Sequence, residues 1–182
     1  ESGGIGGFPA SGTVFGAVIG ANCVVDMANL FDLYDDGGLD VCFMGALEVD
    51  RHGNVNAHRG PGSFAGIGGF ANITSKTHTV VFCLTFNAKG LEIKRDNDRV
   101  DIIQNGSIPK FVEQVRSKSF SAKRALQNGQ RVLYVTERCV FELTEHGLML
   151  AEVYKGVNMQ QDVLDLLPFK VQVSDKLTLS KK

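Results

Sequence analysis

A glutamate heads a glycine-rich run, Glu1-Ser2-Gly3-Gly4-Ile5-Gly6-Gly7. Glycine lacks a Cβ, so its backbone reaches positive φ and lets a bulky ligand come close. A carboxylate held on such a turn can act as a nucleophile toward an acyl group. The same residues also suit a mobile chain end. A second glycine cluster, Gly66-Ile67-Gly68-Gly69-Phe70, stands far downstream. The N–H groups of such a loop can converge on one negative oxygen, which an acyl-transfer site needs for its tetrahedral oxyanion. Glu1 is therefore the candidate nucleophile. Gly66, Gly68 and Gly69 form the candidate oxyanion loop, and Gly3, Gly6 and Gly7 the turn that supports the carboxylate.

Other constellations have plainer readings. Gly66 to Ala71 fits G-x-G-x-x-A, a loose dinucleotide fingerprint with Glu92 at a suitable distance. That motif requires a strand before it and a helix after it, whereas Pro61-Gly62-Ser63 precedes it here. Asp50-Arg51-His52 reads as turn chemistry, with His52 structural. Asp35-Asp36 reads as a solvated helix end.

Composition narrows the class. The chain has 182 residues, 43% hydrophobic and 21% charged, which suits one compact domain spanning 1–182. A formal charge of −1 leaves no footprint for nucleic acid. No apolar run reaches the length of a membrane span. Cys23, Cys42, Cys83 and Cys139 form no C-x-x-C pair, and three lie in apolar runs, as buried thiols do in a reducing, cytoplasmic setting. The four histidines form no H-x-x-x-H pair, so spacing gives no metal site.

The elements that must position these residues follow from apolar patterning. Met27 to Tyr34 reads as a short helix stopped at Asp35-Asp36-Gly37-Gly38. Leu39 to Met44 reads as a central strand, and Thr79 to Phe86 as the clearest buried one. Leu91 to Arg95 and Arg99 to Ile103 read as exposed strands. Gln130 to Thr136, Cys139 to Leu143 and Gly147 to Val153 read as antiparallel neighbours. Gln160 to Leu167 reads as a C-terminal helix stopped by Pro168. The expected fold is α/β, an open mixed sheet flanked by helices.

Together these residues resemble the family I coenzyme A transferases. Glu1-Ser2-Gly3 followed by Ile5-Gly6-Gly7 looks like their active-site glutamate motif, E-x-G-x-x-G. Asp35 to Asp40, Asp50 to Asn56, Gly66 to Phe70 and Gly129 to Phe141 look like the accompanying segments, so the resemblance covers nearly the whole chain. It points to the branch that moves CoA between short-chain acyl-CoAs and acetate or propionate. Ser2 and Gly69-Phe70-Ala71-Asn72 depart from the succinyl-CoA:3-oxoacid branch, which carries Asn after the glutamate and G-G-A-M-D in the later loop.

The resemblance implies ping-pong transfer through a Glu1 thioester, with Gly66, Gly68 and Gly69 at the oxyanion and CoA. It implies no cofactor beyond CoA as substrate, and no metal. The implied partners are acyl-CoA, a short-chain carboxylate, an N-terminal half of the same enzyme and further copies in a homo-oligomer. In the family this region is the C-terminal half of a long chain or a separate subunit, so the 182 residues are expected to be part of a larger protein and inactive alone. The alternative from another class is a non-catalytic nucleotide- or CoA-binding regulatory module, which would use the glycines for phosphate and have no need of Glu1.

Overall fold

The computed structural model describes residues 2–14, 16–60, 62–64 and 66–179. The chain opens with short strands β1 (Gly4–Ile5) and β2 (Phe8–Pro9), a 3-10 turn, then β3 (Val18–Ile19) and β4 (Cys23–Val24). Helix α1 (Met27–Asp35) leads to β5 (Val41–Gly45), β6 (Glu48–Asp50), β7 (Val55–Asn56), β8 (Arg59–Gly60) and β9 (Ser63–Phe64). Helix α2 (Phe70–Ser75) precedes β10 (Thr79–Cys83), β11 (Asn87–Ala88), β12 (Glu92–Asp96), β13 (Arg99–Gln104), β14 (Ile108–Pro109) and β15 (Phe111–Val112). Helix α3 (Ala122–Gln127) is followed by β16 (Arg131–Val135), β17 (Cys139–Thr144), β18 (Gly147–Val153) and β19 (Gln172–Leu179).

The main sheet has six strands in the order β19-β18-β17-β16-β10-β5. Strand β10 runs parallel to both β5 and β16, and β16, β17 and β18 form an antiparallel meander. This is the α/β architecture with a mixed sheet. The apolar run of β10 explains its interior place, since Val80, Val81 and Phe82 are buried on both faces. Phe82 packs against Phe70, Phe120 and Tyr134 with ring centroids 6.1, 5.0 and 5.5 Å away. Such pairs add about 0.5–1.5 kcal/mol each beyond area burial.

The helices are short and defined by their ends. The Asp26 carboxylate accepts the Ala28 N–H at 2.9 Å and starts α1. Gly37, at φ +82°, ends it, as its N–H donates to Tyr34 O and that of Gly38 to Leu33 O. Ser121 caps α3, which buries Ala122 and Ala125.

Several sequence expectations change. Strand β5 lies at the sheet edge, not its centre. Cys42 is buried, whereas Val41 and Phe43 on its other face are exposed, Phe43 by 70%. An apolar run fits a central strand and also an edge whose outer face is apolar. The buried run at 79–86 forms a strand only to Cys83; Leu84 and Phe86 are buried beyond it. The C-terminal helix expected at Gln160 to Leu167 is a π turn, Met159–Val163, followed by a 3-10 turn, Leu164–Leu166. No described helix is long and apolar enough to cross a membrane.

Arg138 is fully buried behind the meander. Its guanidinium lies 4.7 Å from the Phe86 ring centroid. Nε donates to Glu137 at 2.6 Å, and Nη1 donates to Asn105 Oδ1 and Asp162 O. A charge this deep is tolerated because it is paired and hydrogen-bonded.

All four cysteines are free. Cys42 and Cys139 are buried, and burial pushes the Cys139 thiol up to about 12. Cys83, expected to be buried, is exposed, because it ends β10 at the sheet margin. Thiol reagents on the native protein should modify Cys23 and Cys83 and spare Cys42 and Cys139 until denaturant is added, as read by mass spectrometry. Burial, together with the nearby Asp50 charge, raises the Tyr134 pKa well above its ordinary value of 10.0. Above that pH the unfolded phenol sheds a proton that the folded one keeps, so stability falls as pH rises. Unfolding in urea between pH 9 and 11 should show a shallower loss for Tyr134→Phe than for the unaltered protein.

Candidate active site

Glu1 lies outside the described residues. The turn beside it is built from glycines that nothing else could replace. Gly3, at φ +96°, is buried and accepts the Val25 N–H at 2.9 Å. A Cβ on Gly3 would run into the Val25 carbonyl oxygen. Gly6 and Gly7, at φ +75° and +72°, turn the chain from β1 into β2. A Cβ there would sit 2.5 Å from Asn22 Nδ2 or from Ile19 O. Strand β1 pairs with β4, and β2 with β3, both antiparallel. The candidate supporting turn is thus a double ribbon that only glycine backbone allows.

The second glycine cluster also takes a backbone path that favours glycine. Gly66 and Gly68 have φ +81° and +53°. Gly69 is buried at the start of α2. The Phe70 N–H is taken by Ile67 O at 3.2 Å, whereas among the described residues the N–H groups of Gly68 and Gly69 have no backbone acceptor. Two adjacent amides with no acceptor among the described residues can hold a negative oxygen. The dinucleotide reading fails on geometry. Before the loop stands the two-residue β9, paired only with β8, and α2 has six residues.

The two glycine segments are joined through the helices. β4 leads through Val25 to the Asp26 cap of α1, and α1 packs on α2. Asn72 Nδ2 donates to both Asp35 oxygens at 3.1 Å. Asp35 thereby closes a helix–helix contact, and Asp36 sits at the C-terminal cap of α1. The loop lies beyond Gly45 and Cys83, in register at the carboxyl ends of the parallel strands β5 and β10. Ligands in open α/β sheets bind at such ends. An apolar cavity of about 370 Å³ opens there between Gly45, Ile67 and Phe70.

Asp50 to Asn54 is a turn, as its composition says. Asp50 Oδ1 accepts the backbone N–H groups of His52 and Asn54, each at 3.0 Å, and the Asn54 side chain donates to both Asp50 oxygens. The Tyr134 hydroxyl donates to Gly53 O at 2.5 Å. The His52 ring accepts from Arg51 Nε and makes no catalytic pairing with Asp50.

Three anchors escaped sequence reading. Asn56 is fully buried, donates to Glu48 and to Arg59 O, and accepts the N–H groups of His58 and Arg59. His58 Nδ1 and Nε2 lie 2.6 and 3.1 Å from the hydroxyls of Ser119 and Ser117. Glu48 also accepts the Arg116 N–H at 2.9 Å. These contacts hold the stem from which the 60s loop departs. The serine partners of His58 and the Arg116 partner of Glu48 stand some sixty residues away, so no spacing signal marks them, whereas Asn56 bonds within its own loop. Among the described residues no three His, Cys, Asp or Glu side chains converge on a metal-sized point.

Asn56→Ala removes the acceptor of the His58 and Arg59 N–H groups and the donor to Glu48 and Arg59 O, and a polar group left unpaired costs up to about 1–3 kcal/mol. The variant should lose about 3 kcal/mol in urea unfolding, and Asn56→Asp, which keeps the acceptor but sets a buried carboxylate against Glu48 and the Arg59 carbonyl, should lose at least as much at neutral pH.

No protein-family model matches the chain. It is 41% identical over 179 residues to the acetate CoA-transferase YdiF of Escherichia coli K12, spanning 98% of this chain and 34% of that protein. It is 41% identical over 182 residues to the caffeate CoA-transferase of Acetobacterium woodii, spanning 97% and 34%. The solved acyl-CoA transferase YdiF of Escherichia coli O157:H7 superposes with a TM-score of 0.92 at 39% identity, over 99% of this chain and 34% of that one. The same protein has also been solved as a thioester complex with CoA. The chain spans about a third of the length of these relatives. Its likeness in sequence and fold runs from one end of this chain to the other, so the chain is similar throughout to a segment of these CoA-transferases.

Proposed function

We propose that the protein carrying this chain moves CoA from a short-chain acyl-CoA to a free carboxylic acid such as acetate. The observation that carries this is the 41% identity to acetate CoA-transferase across 98% of the chain. The caffeate enzyme is as similar, so identity alone does not name the acid. The thioester complex of the YdiF relative supports a covalent route.

In this reading the Glu1 carboxylate attacks the thioester carbonyl of the donor. A mixed anhydride forms, and the CoA thiolate leaves. The thiolate then attacks the glutamyl carbonyl, releasing the donor's carboxylate and leaving a γ-glutamyl-CoA thioester. An incoming carboxylate runs the same steps in reverse and leaves as the new acyl-CoA. A carboxylate is a weak nucleophile in water, so orientation and loss of solvent must supply the rate. The Gly68 and Gly69 amides serve the oxyanion, and one such donor is worth about 3 kcal/mol. The chemistry calls for no metal and no redox cofactor. The regulatory-module alternative would have no need of a Glu1 carboxylate, so the adduct experiment below separates it from the transferase.

The 182 residues act as one catalytic domain of a larger cytoplasmic enzyme, whose other part completes the site. Four free thiols suit that compartment. Exposed Phe8, Ile19, Val24 and Phe43, at 77, 70, 75 and 70%, give the β1–β4 ribbon and the sheet edge an apolar outer surface. With relatives three times as long, the rest of the same enzyme is the occupant proposed for it.

The whole protein, incubated with acyl-CoA and no acceptor, should gain the mass of CoA less water on the peptide carrying Glu1. Hydroxylamine should convert that peptide to a hydroxamate. Glu1→Ala should lose both adduct and turnover, and Glu1→Asp should lose about 100-fold in kcat, since misplacement by about 1 Å has that effect. An adduct on another residue would refute the assignment.

A further inference from the structure

The cavity at the end of β5 has a composition that says more than its position. Met44, Gly45, Leu47, Ala57, Ile67 and Phe70 line it, and among the described residues no lining side chain carries a charge, an N–H or an O–H. Ile67 sits inside the glycine loop, between Gly66 and Gly68, so the loop's amides and the cavity wall are one segment. Leu47 and Ile67 are about 40% exposed, an apolar surface open to a ligand.

We propose that this cavity is the acyl pocket, and that it selects uncharged aliphatic acyl groups longer than acetyl. The inference rests on the CoA-transferase reading above. A carbonyl held by the Gly68 and Gly69 amides directs its substituent along the same segment, toward Ile67. A methyl group takes on the order of one water's share of liquid volume, ~30 Å³, a small part of the 370 Å³ present. A longer chain fills the remainder, at about fourfold in affinity per methylene buried. A terminal carboxylate, as on a dicarboxylic acyl group, would be desolvated there with no partner.

Gly45 supplies a direct test. Its φ is not in the left-handed region, and a Cβ built on it meets no atom within 4 Å. Gly45→Val therefore fills space without backbone strain, and Leu47→Ala removes apolar wall at a half-exposed position. The whole protein would be assayed with acetate as acceptor and propionyl-, butyryl-, hexanoyl- or succinyl-CoA as donor. The expected kcat/KM for hexanoyl-CoA exceeds that for propionyl-CoA by about 60-fold, three methylenes at about fourfold each, with succinyl-CoA the poorest. In each variant the hexanoyl-to-propionyl ratio falls at least about fourfold, one methylene or more. A ratio of one or below in the unaltered protein, as when another part of the chain fills the cavity, overturns the pocket. So does a ratio that neither variant moves. If no donor is turned over and no Glu1 adduct forms, the CoA-transferase reading fails and the pocket with it.

Discussion

Phe82 fixes the middle of this molecule. It has no exposed surface, and its ring meets one from α2, one from the segment before α3 and one from β16. Phe82 is buried on one face of β10 and Val81 on the other, so the strand is covered on both faces and lies between its parallel neighbours β5 and β16. The parallel register then aligns Gly45, Cys83 and Val135 at one margin of the sheet. Phe70, stacked on Phe82, is also the residue that follows Gly69. The packing that orders the core therefore holds the glycine loop at the carboxyl ends of β5 and β10.

Side-chain hydrogen bonds complete what packing begins. Loops leave backbone groups without ladder partners, and buried groups of that kind must be satisfied. Asp50 and Asn56 do this for the turn and stem ahead of the glycine loop. The serines around His58 tie that stem to the 113–119 segment. Arg138 does the same behind the meander, where its guanidinium joins Glu137, Asn105 and Asp162. Burying that charge brings weak net stability and strong dependence on every partner.

The outer surface follows from the same topology. β5 has one sheet neighbour, and its second face carries Val41 and Phe43 into solvent. The β1–β4 ribbons add Phe8, Ile19 and Val24. Apolar side chains on an unpaired edge are a liability in a free chain, and a larger enzyme would cover them.

The sequence by itself determined a good deal. Residue type decided the Asp50 turn, the end of α1 at Gly37, and the meander from Arg131 to Val153, since turn chemistry and alternation are local. The glycine motifs pointed to the family, and the positive φ of Gly3, Gly6, Gly7, Gly66 and Gly68 gives their composition a conformational cause. Tertiary structure alone decided that β5 is an edge, because an apolar run does not say which of its faces finds a partner. It alone exposed Cys83, since strand ends are set by pairing partners. The clasp of His58 with Ser117 and Ser119, and the cavity joining Met44 to Ile67, exist only where distant segments meet. Local physics is written in neighbouring residues, whereas these contacts depend on how the sheet closes around Phe82.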